Sequence, residues 1–263
     1  MVARTQAQSH APPPLRRAQP PRLIHYPDSD GKPMAETDDH YQAMTGVRYE
    51  LEQHLGATGR VAYVGANIFL YYKEGNPKRS VSPDVFVALD VPPGRRRTYK
   101  VWEEGKMPEV VFEMTSPSTR REDLGTKRDL YERLGVQEYF LFDPCPEKQD
   151  NQLRLFRRIG PKLMSVIESP VCCLMLGLEL HVVEQALRLK VPGVAGFLLT
   201  PEEQRQRADE EAAARKAESR RAEAESRRAE AESRRADAEA AARLSLEAQV
   251  VRLQAELEAR RGR

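Results

Sequence analysis

Two short runs of almost continuous apolar residues constrain the fold of this chain more than any other feature. The runs 84–89 and 110–115 read DVFVAL and VVFEMT, and valine and phenylalanine dominate both. The side chains of the second run would alternate between two faces, with Val110, Phe112 and Met114 on one and Val111, Glu113 and Thr115 on the other. Both faces are largely apolar, which is typical of a central strand covered on both sides. The runs therefore predict a layered α/β core.

The composition of the chain changes twice along its 263 residues. Residues 1–36 are rich in proline and poor in apolar groups, so we expect this leader to be disordered, because it cannot bury enough surface to offset its ordering entropy. Residues 37–200 carry the helix and strand patterns of one globular domain. Residues 201–263 are dominated by charged residues and alanine. The sequence thus predicts one domain with two appendages.

The order of elements within residues 37–200 indicates the architecture. Thr37 and Asp38 are suited to cap a first helix, and Gly56 and Gly59 are expected to end it. A second helix is predicted near 123–134. Strands are predicted at 61–64, 67–72, 85–89, 110–114 and 138–142, then as a hairpin at 153–157 and 164–167 around Gly160 and Pro161, and within 172–180 and 187–191. This order favours a mixed central β-sheet flanked by helices.

The C-terminal segment contains a seven-residue repeat. The sequence AESRRAE occurs at 217–223 and 224–230 and recurs as AESRRAD at 231–237, and its residues favour helix. Glu230 and Arg234 exemplify its ion pairs at i,i+4. An apolar seam forms only near the end, at Leu246, Val250, Leu253 and Leu257. We expect a long charged helix whose last turns associate as a coiled coil in a homo-oligomer; a solvated single helix is the alternative interpretation.

Other features argue against several classes of protein. Cys145, Cys172 and Cys173 are too few for a disulfide framework, and no CxxC or Cys/His spacing suggests zinc. No apolar run approaches the roughly 20 residues that span a bilayer, and the N-terminus lacks the apolar region of a signal peptide. We therefore expect a soluble, cytoplasmic protein with no membrane partner. No phosphate-binding glycine motif is present, and the histidines that we considered are expected at the surface or in caps, namely His25, His40, His54 and His181.

Three charged side chains interrupt the apolar pattern. Asp84 stands at the entry of the first run, Glu113 lies within the second, and Lys127 occupies a helix position where the pattern would place a leucine. Burying a charge is costly unless a partner or a metal compensates it. If the two runs pair at about 4.8 Å, both carboxylates could hold one hard cation, and the lysine ammonium could reach them. Asp123 and Tyr131, four residues before and after the lysine, would steady its orientation.

Each of these signals also has an ordinary explanation. An aspartate after proline is common at strand entries, a glutamate in a strand often lies on an exposed edge, and a lysine in a helix stripe usually extends to solvent. Their joint occurrence in this order favours a divalent-metal site for phosphoryl chemistry.

The globular segment, from about residue 37 to 190, resembles the Uma-type (Uma-two) endonucleases, a branch of the PD-(D/E)XK nuclease superfamily. The resemblance rests on the motifs SPDVFV, PEVVFEMTSPST and GVQEYFLFDP, and on the spacing of Asp123, Lys127 and Tyr131. It implies a restriction-endonuclease-like core that hydrolyses DNA phosphodiester bonds. It also implies that Asp84 and Glu113 are catalytic ligands of Mg²⁺ or Mn²⁺.

The sequence departs from the superfamily's name pattern at one position. That pattern places a lysine two residues after the glutamate, where this chain has Thr115. The resemblance implies that Lys127, in the next helix, takes the catalytic role. The superfamily sometimes uses a further acid from the first helix, for which Glu50 is a candidate.

Two rival interpretations remain open at this stage. One is a catalytically inactive nuclease-fold protein that binds DNA or acts as a scaffold and oligomerises through the C-terminal helix. The other is a protein whose main role is oligomerisation through that helix.

Overall fold

The computed structural model describes residues 24–29, 31, 37–146 and 152–261. Most of the leader, for which we predict disorder, lies outside these residues. The chain divides into two compact units, with the boundary between Leu198 and Leu199.

The elements of the first unit follow one another closely along the chain. Its helices are α1 (Asp38–Thr58), α2 (Val101–Glu104), α3 (Arg120–Glu122) and α4 (Arg128–Leu134). Its strands are β1 (Ala62–Ala66), β2 (Phe69–Tyr71), β3 (Ser80–Val81), β4 (Val85–Leu89), β5 (Thr98–Lys100), β6 (Val110–Met114), β7 (Glu138–Phe142), β8 (Leu153–Ile159), β9 (Lys162–Val166), β10 (Val171–Cys173), β11 (Leu178–Val183) and β12 (Ala186–Lys190).

Helix α1 begins where the sequence predicts. Thr37 precedes it in an extended conformation, and its hydroxyl accepts a hydrogen bond from the backbone N–H of His40 at 3.3 Å. Gly59 ends the helix with φ +66°, a left-handed conformation that glycine adopts without a steric penalty. Gly56, which we also expected at the end, lies inside the last turn.

A mixed six-stranded sheet forms the centre of this unit, which confirms the predicted fold class. Its strand order is β1-β4-β6-β7-β8-β9. Strands β6 and β7 run parallel, and the other neighbours in this sheet are antiparallel. Strands β8 and β9 form the predicted hairpin. The sequence gives β4, β6 and β7 the same bounds as the structure, because buried β-branched and aromatic residues fill each one and turn residues flank them.

The two faces of the central sheet are covered by different layers. Val110, Phe112 and Met114 of β6 face a core formed with α1 and with the three-stranded sheet β10-β11-β12. Val111 faces a second core, which contains Tyr131 of α4 and residues of β2 and β5. The predicted alternation along β6 is therefore confirmed, and Glu113 lies on the second face.

Three short elements were missed by the sequence patterns. Strands β3 and β5 flank β2 in a second small sheet, with β2 and β5 parallel, and α2 follows β5 directly. Elements of two to four residues are too short to show a hydrophobic period, so periodicity could not reveal them.

Gly65 of β1 provides a test of the second core. A Cβ atom at this position would lie 2.2 Å from the ring of Phe86, which is fully buried between Tyr63 and Tyr99. We expect Gly65→Ala to lower the free energy of unfolding by about 2–3 kcal/mol, because the trapped ring cannot move aside. Urea denaturation measures this change.

The matched control is Gly46→Ala in α1. A Cβ atom there meets nothing within 4 Å. Alanine has the higher helix propensity, so this variant should gain about 0.5–1 kcal/mol. Equal stability of the two variants would contradict the packing argument.

The second unit consists mainly of helix α5 (Pro201–Arg261), which confirms the predicted long charged helix. Side chains of residues 204–255 are all exposed, and Glu230 and Arg234 lie 4.0 Å apart as one of the predicted i,i+4 pairs. Association of its last turns stays a prediction. Within the residues that the structure describes, no helix is both long enough and apolar enough to cross a membrane.

Candidate functional site

Strand pairing places the two predicted acids opposite each other. Strands β4 and β6 are antiparallel neighbours with Val85 opposite Phe112. Continuing this register by one residue places Asp84 opposite Glu113. Neighbouring strands lie about 4.8 Å apart, so the two carboxylates emerge close together on the second face of the sheet.

Glu113 is buried and both of its carboxylate oxygens accept hydrogen bonds. Its side chain is 1 % exposed. The Lys127 ammonium donates to Oε2 at 3.0 Å, and the Tyr131 hydroxyl donates to Oε1 at 2.7 Å. Burial, followed by repulsion from Asp84, raises the pKa of Glu113 to about 8, although Lys127 acts in the opposite direction. The carboxylate thus occupies a position where a positive charge is strongly favoured.

Lys127 reaches this acid from a widened turn of helix. Residues Asp123–Lys127 form a π-helical turn between α3 and α4, a feature that often marks functional sites and that a regular helical period does not predict. The ammonium also lies 3.1 Å from Asp123 Oδ1. Burial alone would lower the pKa of Lys127, but the carboxylates of Glu113 and Asp123 outweigh it and raise the pKa. The lysine is therefore held as a cation.

The predicted supporting roles of Asp123 and Tyr131 differ in detail from the contacts observed. Asp123 pairs with Lys127 as expected, but Tyr131 donates to Glu113 and does not steady the lysine directly. Burial raises the pKa of the Tyr131 hydroxyl well above its ordinary value, so this group stays a hydrogen-bond donor. The Tyr139 hydroxyl holds the backbone of the turn by donating to the Asp123 carbonyl at 3.1 Å.

Asp84 is fixed by the sheet and by α1. Its Oδ2 accepts the backbone N–H of Met114 at 2.6 Å, and its Oδ1 lies 3.3 Å from Nε2 of His40. We expected His40 at the surface or in a cap. This was wrong for its side chain, which is largely buried against Asp84. The contact depends on how α1 packs against β4, and no local sequence signal reports that packing.

These groups line a cavity of about 840 Å³. Its wall includes Asp84, Glu113 and Lys127 together with His40, Thr115 and Asp143. The hydroxyl of Thr115, the residue in the superfamily's usual lysine position, is buried and makes no hydrogen bond to any described residue.

Asp143 is a site residue that the sequence patterns missed. Strands β6 and β7 are parallel with Met114 beside Phe142, so Thr115 and Asp143 follow at the same end of the sheet. Asp143 is buried, pairs with Arg120 and accepts the backbone N–H of Cys145 at 3.1 Å. Side chains at the carboxyl ends of adjacent parallel strands commonly line sites, and this signal could have found it.

The structure does not bring Glu50 to this cavity. Its carboxylate accepts the backbone N–H of Leu189 at 3.0 Å and lies 3.6 Å from Nε of Arg188. Both partners belong to β12, on the opposite face of the central sheet. Glu50 therefore anchors β12 to α1.

The donor set suits a hard divalent cation. Among the described residues, no cluster of three or more His, Cys, Asp or Glu side chains is arranged to hold a metal ion. Mg²⁺ does not need one, since it is commonly held by one or two carboxylates and completes its shell with water and phosphate oxygens. Asp84, Lys127 and Asp123 all act on the charge of Glu113, so three acids share this site with the Lys127 ammonium, which pairs with Glu113 and Asp123. A cation beside Asp84 and Glu113 would relieve this excess of negative charge.

Residues 16–182 match the Uma2 protein family, which is described as "putative restriction endonuclease". The chain belongs to the Uma2 family. The match includes β4, β6 and the whole helical segment 120–134, so the resemblance to Uma-type endonucleases is confirmed. Membership in Uma2 supports a nuclease function in general terms.

Solved structures also match this Uma2 chain. One is a putative nuclease belonging to DUF820 from Anabaena variabilis ATCC 29413, with 17 % identity and a TM-score of 0.41, covering 55 % of this chain and 76 % of that chain. No curated protein matches.

Proposed function

We propose that this Uma2 protein is an endonuclease that hydrolyses DNA phosphodiester bonds with Mg²⁺ or Mn²⁺. The observation that carries the proposal is the buried carboxylate of Glu113, 3.0 Å from the Lys127 ammonium and opposite Asp84 in the strand register. Two acids and a fixed cation in one cavity can bind a metal ion and an anionic phosphate side by side. Family membership supports the same chemistry.

Asp84 and Glu113 would hold the cation. When bound, the metal supplies a water of lowered pKa and stabilises negative charge on the phosphate oxygens. The backbone N–H of Met114 and the Tyr131 hydroxyl keep one oxygen of each acid in a fixed direction. The acids are therefore preorganised and need little rearrangement to bind a cation.

Lys127 would position the attacking water or neutralise charge that develops on the phosphate. Its ammonium is fixed between Glu113 and Asp123 and remains 20 % exposed on the cavity side of the helix. A preorganised cation of this kind stabilises a transition state without reorganising during the reaction. The contact between Lys127 and Glu113 supports the proposal that Lys127 replaces the lysine that the superfamily pattern has on the strand, where this chain has Thr115.

Metal-dependent nicking of supercoiled plasmid tests the proposal. We expect cleavage by the full chain with Mg²⁺ or Mn²⁺, and none with EDTA, because the metal that Asp84 and Glu113 would hold supplies the activated water. Asp84→Asn should reduce the rate by about 10²–10³, the usual loss when one preorganised electrostatic group is removed.

The matched control is Asp90→Asn. Asp90 follows β4 at its other end and is exposed, 3.7 Å from the Lys106 ammonium. This variant should cleave within about twofold of the wild-type rate, since an exposed pair contributes little. If the purified wild-type chain binds DNA but never nicks it with either metal, the catalytic proposal fails and the inactive DNA-binding alternative is favoured.

A further inference from the structure

A second concavity, of about 720 Å³, lies at the β1 edge of the central sheet and is strongly basic. It is lined by four arginines and one glutamate, which are Arg48, Arg95, Arg96, Arg97 and Glu52. Tyr63, Ala66 and Ile68 form its floor. We call this concavity the arginine groove.

The central arginine of the loop 95–97 is held in place by several contacts. Arg96 donates to Glu104 at 2.6 Å and to the Pro92 carbonyl at 3.0 Å, and its guanidinium lies 4.1 Å from the ring centre of Tyr63. Its side chain is only 17 % exposed. Arg96 therefore holds the loop against β1, and its charge is already compensated.

The two flanking arginines are available to a ligand. Arg95 is exposed, and none of the described residues forms a hydrogen bond or an ion pair with it. Arg97 is 87 % exposed and pairs with Asp28. Since this pair lies in solvent, another anion can compete with the Asp28 carboxylate for the Arg97 guanidinium at low cost.

The arginine groove shares a wall with the cavity that contains Glu113. Alternate residues of the segment 66–69 face the two sides, with Ala66 and Ile68 in the groove and Asn67 and Phe69 in the cavity. Asp28 also lines the cavity while it pairs with Arg97 of the groove. The arginine groove and the cavity therefore adjoin along this segment.

We propose that the arginine groove binds the phosphate backbone of duplex DNA beside the bond that is cleaved in the cavity. This inference rests on the proposed function and names the surface that holds its substrate. Phosphates of one strand follow each other at about 3.4 Å along the helix axis, and guanidinium groups bind them bidentately. Arg95 and Arg97 would each neutralise one phosphate. Arg97 would give up its ion pair with Asp28 and pair with a DNA phosphate instead.

Fluorescence anisotropy with a labelled DNA duplex tests this, using the full chain in EDTA so that no cleavage occurs. We expect Arg95→Ala combined with Arg97→Ala to raise the Kd about tenfold or more. The slope of log K against log salt should become shallower by about 2, because two phosphate contacts are lost. Asp28→Asn should lower the Kd a few-fold, because it frees Arg97.

A matched double variant controls for net charge. Arg133→Ala in α4 with Lys162→Ala at the start of β9 also removes two positive charges; α4 contacts β9, which is the opposite edge of the sheet from β1. Its Kd for the duplex should stay within about twofold of the wild-type value. Any DNA binding by the basic residues of α5 contributes equally in every variant, because α5 is unchanged. Equal losses in the two double variants, or no loss in the groove variant, would overturn the proposal.

The groove and the chemistry can fail independently. Wild-type DNA binding that depends on Arg95 and Arg97, without nicking in Mg²⁺ or Mn²⁺, supports the groove and contradicts the proposed function. Nicking by the wild-type chain with an unchanged Kd in the groove variant contradicts the groove and leaves the proposed function standing.

Discussion

Glu113→Gln is expected to reduce metal-dependent DNA cleavage by a factor of about 10³ or more while the chain stays folded. Glutamine preserves the size of the side chain, but it removes the negative charge that would bind the metal and that holds the Lys127 ammonium at 3.0 Å. Tyr131 can still donate to the amide oxygen. Single-turnover cleavage of a plasmid measures the loss, and circular dichroism confirms the fold.

Glu138→Gln is the matched control for this variant. Glu138 begins β7, the parallel neighbour of β6, and is equally buried at 1 % exposure. Its carboxylate pairs with Arg157 and is absent from the cavity lining. Its loss should affect stability, yet cleavage by the folded protein should remain within a few-fold of wild type. Comparable cleavage by the Glu113 and Glu138 variants would refute the assigned role of Glu113.

Lys127→Met is expected to abolish detectable cleavage and to destabilise the metal-free protein by about 3 kcal/mol at about pH 9. Removing the cation leaves Glu113 and Asp123 facing each other in a buried site. The destabilisation should be smaller at about pH 6, because Glu113 can then take up a proton. Urea denaturation at the two pH values measures the difference.

The sign of this pH dependence follows from the pKa of Glu113. Burial and Asp84 raise that pKa from its ordinary 4.5 to about 8, so the folded state binds a proton that the unfolded state has released. Stability from this group is complete below about pH 4.5 and is lost as the pH rises through 8. Lys127 lowers the pKa of Glu113, so without it that pKa should rise further, and the loss should become larger and continue to higher pH.

Lys162→Met is the corresponding surface control. The Lys162 ammonium pairs with Glu132 at 2.9 Å, but its side chain is largely exposed. We expect a change below about 1 kcal/mol, with little pH dependence and normal cleavage. A destabilisation by Lys127→Met that is no larger at high pH than at low pH would contradict the electrostatic account.

The strands that carry the acids were predictable because apolar residues fill them almost completely, which indicates burial. Strands β4 and β6 are apolar on both faces, and the alternation along β6 assigned Glu113 to a covered face before any contact was known. What the sequence could not supply is the pairing of the two strands. The register that sets Asp84 opposite Glu113 depends on a 20-residue excursion through β5 and α2 between the two strands.

Other parts of the site depend on how elements that are distant in sequence pack together. His40 reaches Asp84 only because α1 crosses the end of β4, and Asp143 joins the cavity only because β7 lies parallel to β6. Glu50, in contrast, was predicted at the site but lies outside the cavity. The resemblance to the nuclease superfamily made Glu50 a candidate acid, but its buried carboxylate accepts a backbone N–H from β12 instead.

The π-helical turn carries the amine on a different element from the strands that carry the acids. An amine on β6 would be fixed relative to its acids by strand register, whereas Lys127 belongs to the helical segment that follows β6. Deleting one residue from the turn would rotate the preceding residues of this segment, Asp123 among them, by about 100° relative to α4. The contact between Lys127 and Asp123 therefore depends on the length of this turn.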